Sequence, residues 1–165
     1  MITKIGIESQ GGLTEMRRTI VLGLGNILMQ DDGIGVRVIE ALQDTELPDG
    51  VELVDAGTGV YSLIYDLEGA DRIIVVDAVQ GGGEPGTVYR IPGEELDSFR
   101  DEAVSTHDIR FPEVMTILAQ HGHHPAVVVY GVEPAEVDLG MELTPSVMAV
   151  LPRVTALVLD EIRST

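Results

Sequence analysis

The apolar positions of the chain follow two different periods. Continuous apolar runs of four or five residues are typical of strands buried on both faces of a sheet. Such runs occupy residues 19–22, 73–76 and 126–130, and residues 51–54, in which Glu52 interrupts the apolar residues, form a further predicted strand. A further run at 87–91 alternates apolar and polar residues, as an edge strand does. Between the runs, apolar residues three or four positions apart predict helices that begin near residues 34, 60, 105 and 144.

This order of strands and helices predicts the fold class. Strands that alternate with helices are typical of a mostly parallel sheet covered on both faces. We therefore predict a three-layer α/β/α sandwich with about five strands, one of them an antiparallel edge strand. The run at 73–76 is the most apolar, which places it at the centre of the sheet.

The first connection between a strand and a helix has the most specific pattern. Gly23 and Gly25 end the first apolar run, Asp31 and Asp32 follow, and a helical period begins at Ile34. In an open α/β sheet, such a loop lies beyond the carboxyl end of the strand, where ligands bind. One aspartate is sufficient to cap the helix, which stabilises it by about 1 kcal/mol. The residues alone leave open whether the other aspartate has a function.

Length and apolar content indicate a single globular domain. The chain has 165 residues, of which 44% are hydrophobic, and this is enough to bury one full core. Residues 1–15 lack a clear apolar period and contain a Gly-Gly break, so we predict that they form a disordered extension. The predicted domain spans residues 16–165.

Charge and hydropathy limit the partners and the location. Ten basic residues against 28 acidic residues give a formal net charge of −18, which repels nucleic acid and anionic membrane surfaces. No apolar run approaches the roughly 20 residues of a membrane span, and the amino terminus lacks the apolar core of a signal peptide. We expect a cytoplasmic monomer that neither binds nucleic acid nor inserts into a membrane.

The available chemistry is that of carboxylates and histidines. The chain contains no cysteine, which excludes thiol nucleophiles and thiolate metal sites. Asp77 ends the predicted central strand, Asp32 follows the adjacent strand, and His107 opens a predicted helix in which Ser105 and Asp108 have capping-box spacing. Two carboxylates and one imidazole at one edge of a sheet suit a divalent transition metal. Taken alone, Asp77 is better explained as a loop or helix cap, and His107 as a partly exposed residue at the start of a helix.

Three other motifs give weaker signals. Gly23 and Gly25 begin a dinucleotide-binding pattern, but the third glycine of that pattern is replaced by Leu28. The histidines within residues 121–124 have the chemistry for nickel or zinc, but they follow a helix end, where histidine also interacts with the dipole, so we interpret them as surface residues. Neither a Gly-x-Ser-x-Gly elbow nor a His-Glu-x-x-His motif is present.

Five motifs occur in a fixed order between about Met16 and the last predicted helix. They are Gly23-Leu24-Gly25-Asn26-Ile27-Leu28, Asp31-Asp32-Gly33-Ile34-Gly35, Asp55-Ala56-Gly57-Thr58, Val76-Asp77-Ala78 and Ser105-Thr106-His107. Together they resemble the hydrogenase maturation endopeptidases, which process the large subunit of nickel-iron hydrogenases. The resemblance implies the α/β sandwich of that family.

The same resemblance implies an activity and a site. It implies an endopeptidase, classed as aspartic-type or metal-dependent, that removes the carboxyl-terminal extension of a nickel-iron hydrogenase large-subunit precursor after nickel insertion. It assigns metal binding and catalysis to Asp32, Asp77 and His107, with nickel supplied by the precursor and replaceable by other divalent metals. The first of these positions is often Glu in the family and is one methylene shorter here. The alternatives are a non-catalytic nickel- or nucleotide-binding module of the same fold and a hydrolase of small molecules.

Overall fold

The computed structural model describes residues 17–98, the backbone of residues 104–105, and residues 111–164. The strands are β1 (Thr19–Leu24), β2 (Val51–Gly57), β3 (Arg72–Gln80), β4 (Val88–Pro92), β5 (Val104–Ser105) and β6 (Ala126–Val132). Five of them form the main sheet in the order β2-β1-β3-β6-β4, and β5 pairs with the end of β3 outside this order. Strands β2, β1, β3 and β6 are parallel, and β4 is the antiparallel edge. The predicted five-stranded sheet is confirmed.

The strand register aligns the carboxyl ends of the four parallel strands. β1 is buried at every position, and β3 at all but its first and last, as the continuous apolar runs predict. Gly23 of β1 is in register with Asp55 of β2 and with Val76 of β3. Asp77 is in register with Gly131 of β6. Asp55 and Asp77 therefore lie at the same edge of the sheet.

Helices cover both faces of this sheet. They are α1 (Ile34–Gln43), α2 (Ile64–Leu67), α3 (Phe111–Gln120) and α4 (Pro145–Arg163), and a 3-10 turn (Val60–Leu63) precedes α2. One core cluster joins one face of the sheet to α1 and α4, and a second joins the other face to α2 and α3. The predicted three-layer sandwich is confirmed. No helix in the described ranges has both the length and the apolar content needed to cross a bilayer.

One local prediction is wrong. β3 does not stop at Asp77 but continues to Gln80, because Ala78 and Val79 are buried and the end of the strand pairs with β5. Ser105 lies in β5, in register with Val79, and the helix predicted to begin near it is described from Phe111, since residues 106–110 lie outside the described residues. The predicted disordered residues 1–15 lie outside the described residues, as does His107.

A buried carboxylate attaches α4 to three strands. Glu161 accepts hydrogen bonds from Arg72 of β3, from Arg90 Nε of β4 at 2.9 Å, and from Tyr130 Oη of β6 at 2.6 Å. Burial alone would raise the pKa of Glu161, but the hydrogen bonds from Arg90, Tyr130 and Arg72 outweigh it and lower the pKa to about 2. Burial and the adjacent Glu161 raise the pKa of Tyr130 to about 12. Glu161 is therefore ionised and Tyr130 neutral at neutral pH.

Candidate functional site

The 3-10 turn of residues 30–33 packs on the carboxyl end of β3. Glycines around the turn make this close approach possible. A Cβ atom on Gly35 would lie 2.2 Å from the carbonyl oxygen of Leu24 and 2.3 Å from that of Val76. A Cβ atom on Gly25 would lie 1.8 Å from the carbonyl oxygen of Asp32. No side chain fits at either position, so glycine is needed for the turn to reach the strand ends.

Two predicted site residues lie at this edge of the sheet. Asp32 is fully buried, and its Oδ2 accepts a hydrogen bond from the backbone N–H of Asn26 at 2.7 Å. Asp77 is 6% exposed, and its Oδ1 accepts from the N–H of Ala78 at 2.8 Å. Burying a carboxylate is unfavourable unless it is paired, and buried acids in such positions are concentrated at functional sites. These two aspartates are thus the strongest candidates for chemistry in the described chain.

Asp31, next to Asp32 in sequence, has a structural role. Its carboxylate accepts hydrogen bonds from the N–H groups of Ala135 (2.8 Å), Glu136 (3.1 Å) and Thr144 (2.7 Å), and from Thr144 Oγ1 (2.8 Å). It also lies at the amino end of α4, where negative charge is favourable. The prediction that Asp31 or Asp32 caps α1 is wrong: the residue that precedes α1 is Gly33, and no side chain caps the helix there.

The backbone is strained immediately before the two aspartates. Gln30 has φ = +46°, a left-handed conformation that is unfavourable for a residue with a side chain. Its side-chain Oε1 is buried and has no hydrogen-bond partner among the described residues. Each feature costs roughly 1–3 kcal/mol. Strain of this kind is concentrated at functional sites, and here it lies two residues from Asp32.

The third predicted ligand, His107, lies outside the described residues. Within the described ranges, no group of three His, Asp or Glu side chains is arranged to hold a metal ion. The set Asp32, Asp77 and His107 therefore stays a prediction. The two described members supply carboxylate oxygens, and an imidazole beside them would complete a donor set suited to a divalent transition metal.

The histidines that follow α3 behave as surface residues. His121 Nδ1 lies 2.7 Å from Glu68 Oε1, and the side chains of both residues are partly exposed. His124 is exposed as well. The interpretation of these histidines as surface residues is confirmed for His121 and His124.

Sequence reasoning missed one buried acid at the same edge of the sheet. Glu133 directly follows β6, and its Oε2 accepts hydrogen bonds from the N–H of Gly81 (2.7 Å), the N–H of Gly83 (3.3 Å) and Tyr89 Oη (2.7 Å). Burial and Glu133 raise the pKa of Tyr89. Glu133 thus anchors the loop of residues 81–86, which follows β3 and contains four glycines. Its position immediately after a buried strand, the signal that identified Asp77, could have revealed it.

The sequence of this chain is similar to one family model and to several known proteins along most of its length. Residues 36–161 match the family model described as "Hydrogenase maturation protease" (HycI). The Hydrogenase 2 maturation protease of Escherichia coli is 35% identical over 151 residues, which cover 90% of this chain and 92% of that protein. The coenzyme F420 hydrogenase subunit delta of Methanothermobacter thermautotrophicus is 38% identical over 152 residues, which cover 87% of this chain and 93% of that protein.

Solved structures of similar proteins share this fold. The hydrogenase maturating endopeptidase HybD from E. coli superposes with a TM-score of 0.81 at 35% identity, covering 88% of this chain and 92% of the other. The nickel-iron hydrogenase maturation protease HybD from Thermococcus kodakarensis gives a TM-score of 0.75 at 28% identity, with 88% and 99% covered. The similarity therefore extends over nearly the whole length of both proteins.

Proposed function

The chain belongs to the hydrogenase maturation protease family, and from this membership we propose that it removes the carboxyl-terminal extension of a nickel-iron hydrogenase large-subunit precursor after nickel insertion. The observation that carries the proposal is the pair of buried carboxylates, Asp32 and Asp77, at the carboxyl edge of the sheet. An open α/β sheet binds its ligand at this edge. The pair lies in a fold that matches solved maturation endopeptidases along most of the chain.

In the proposed complex, nickel is part of the substrate. Asp32, Asp77 and His107 contact the nickel ion that the precursor already carries, since carboxylate oxygens and imidazole nitrogen are suitable ligands for a divalent transition metal. Binding the ion fixes the position of the nearby peptide bond. An orientation of this kind can contribute a large part of the rate enhancement, because the reacting groups no longer have to find each other. The same three residues then recognise the precursor and restrict its cleavage to the time after nickel insertion.

The buried carboxylates also supply the groups for peptide hydrolysis. An ionised carboxylate beside the bond takes a proton from the attacking water, and a protonated acid or imidazole gives a proton to the leaving amine. Two carboxylates sharing one proton define an aspartic protease, whereas carboxylates around a cation stay ionised. We favour the second description, in which Asp32 and Asp77 recognise the metal.

We place this reaction in the cytoplasm and assign it to a monomer. A protease in that compartment must not cleave other proteins. Dependence on a nickel-loaded precursor provides this specificity, because proteins without the metal would not be held in the site. The formal charge of −18 adds general repulsion from nucleic acid and from anionic membranes.

Incubation with a nickel-loaded large-subunit precursor tests the activity. We expect intact-mass spectrometry to show a shorter precursor and a released carboxyl-terminal peptide. The expected cut is a single one, because the nickel site fixes one peptide bond. A precursor that co-elutes with the protein but keeps its full mass would instead support a non-catalytic binding module.

A further inference from the structure

Exposed apolar side chains are concentrated beside the candidate site. Six large apolar side chains are exposed among the described residues: Leu28, Tyr61, Tyr65, Leu139, Met141 and Met148. Three of them, Leu28, Leu139 and Met141, lie at one backbone bridge, and we call these three the apolar rim. They are 52%, 86% and 62% exposed, respectively. A cluster of exposed apolar residues usually marks a surface that binds a partner.

The backbone holds the apolar rim in a fixed position. Met29 and Gly140 form a parallel bridge. Gln30 N–H donates to the carbonyl of Gly140 at 2.8 Å, and Gly140 N–H donates to the carbonyl of Leu28 at 2.9 Å. A Cβ atom on Gly140 would lie 2.8 Å from Gln30 Cγ, so the two segments are closely packed. A preorganised surface loses less entropy when it binds than a loose loop does.

The apolar rim is connected directly to the site. Leu28 lies four residues before Asp32 in the same connection, and the segment with Leu139 and Met141 is held by the Asp31 carboxylate at both of its ends. Arg37 of α1 adds a hydrogen bond to the carbonyl of Met141 at 2.8 Å. A partner seated on the rim would therefore lie next to the carboxylates at the end of β3.

The surroundings of the apolar rim are acidic. Glu136, Asp138 and Glu142 are exposed around it, and residues 133–152 contain neither Lys nor Arg. Arg37 is the described cation that contacts this segment, and its guanidinium also pairs with Glu40 at 2.9 Å. The apolar centre with an acidic border is complementary to a surface that combines apolar and basic side chains.

We propose, with the proposed function as premise, that the apolar rim is the docking surface for the hydrogenase precursor, and that the precursor segment seated on it combines apolar side chains with Lys or Arg. The rim binds this segment while Asp32 and Asp77 act on the peptide bond. Recognition of the precursor then has two parts. The metal contact restricts cleavage to the nickel-loaded form, and the rim adds affinity for the precursor protein.

The test uses the double variant Leu139→Ser/Met141→Ser. Both side chains are exposed and the bridge is made by backbone atoms, so the fold is retained. We expect KM for the nickel-loaded precursor to rise about tenfold or more, with kcat within about twofold, because truncating central interface residues weakens binding while the reacting groups stay unchanged. The control is Tyr65→Ser, which removes a side chain that is 80% exposed on α2, on the opposite face of the sheet.

Binding is measured separately from cleavage, by biolayer interferometry with immobilised precursor. Every protein compared carries Asp32→Asn, which blocks cleavage and weakens the metal contact equally in all of them, so a difference between them reports the contribution of the rim. The Leu139→Ser/Met141→Ser change should weaken binding about tenfold, and Asp138→Asn/Glu142→Gln should reduce the salt dependence of binding. If the rim variant equals Tyr65→Ser in both assays, the rim is not the docking surface, although cleavage by the wild type would still stand. If the wild type binds the precursor through the rim without shortening it, the docking surface stands and the proposed cleavage fails. If the wild type neither binds nor shortens the precursor, the docking surface and the proposed cleavage are both wrong.

Discussion

Asp32→Asn is expected to lower the rate of precursor processing about 10²- to 10⁴-fold, the usual contribution of a proton-transferring side chain. The amide is neutral, so it neither accepts a proton from water nor binds a cation as a carboxylate does. The fold should persist, because the amide oxygen can still accept the hydrogen bond from Asn26 N–H. The rate is measured by intact mass at saturating precursor, together with the melting temperature of the variant.

The neighbouring substitution Asp31→Asn provides the matched comparison. Asp31 accepts four hydrogen bonds, so an amide NH₂ in its place would face a donor and lower stability by roughly 1–3 kcal/mol. At saturating precursor, kcat of the folded fraction should be nearly normal, because Asp31 holds the segment of the apolar rim and not the reacting groups. Asp44→Asn, at an exposed position after α1, should change neither property. Normal processing by Asp32→Asn would remove this residue from the site.

Glu161→Ala is expected to lower the free energy of unfolding by about 3 kcal/mol, at the lower end of the range for breaking a buried ion pair. The change leaves Arg72, Arg90 and Tyr130 without their common acceptor. The lower end applies because the Arg90 side chain is 52% exposed and can be solvated. For a domain of this size the melting temperature should fall by about 6–12 °C. Glu46→Ala, an exposed residue in a loop, is the control and should have little effect.

The effect of Glu161 should also depend on pH. The pKa of Glu161 is about 2 in the folded protein, well below the ordinary value of a glutamate. Its depressed pKa means that the stabilisation is fully present above the unfolded pKa of about 4.3 and is lost as pH falls towards 2. The difference in stability between wild type and Glu161→Ala should therefore narrow between pH 5 and about pH 3 in urea unfolding. If the difference in stability between wild type and Glu161→Ala stayed constant over this pH interval, the arginine contacts would not lower the pKa of Glu161.

The strands and the position of the candidate site could be predicted from local patterns. A strand buried on both faces must be apolar throughout, so the sequence marks where β1 and β3 lie. The carboxyl ends of parallel strands share an edge, so a carboxylate near the end of the run, such as Asp77, is placed there before any contact is known. The exact end of β3 could not be predicted, because it depends on pairing with β5, about 25 residues later.

The roles of individual acids could not be predicted from the sequence. Asp31 and Asp32 are adjacent and identical in type, and what separates them is that Asp31 accepts hydrogen bonds from residues 104 to 113 positions away. Glu161 likewise binds side chains 31 to 89 positions away. Contacts over such distances leave no periodic pattern in the sequence. They arise only when the fold has brought the segments together.

Comparison of one precursor in its nickel-loaded and nickel-free forms tests the central claim most directly. Each form is incubated with the wild-type protein under identical conditions, and intact mass is followed over time. Loss of a carboxyl-terminal peptide from the loaded form alone is the predicted result, because the nickel ion holds the peptide bond beside Asp32 and Asp77. Equal shortening of both forms would contradict recognition through the metal, and would leave the two aspartates as the groups of a metal-independent protease.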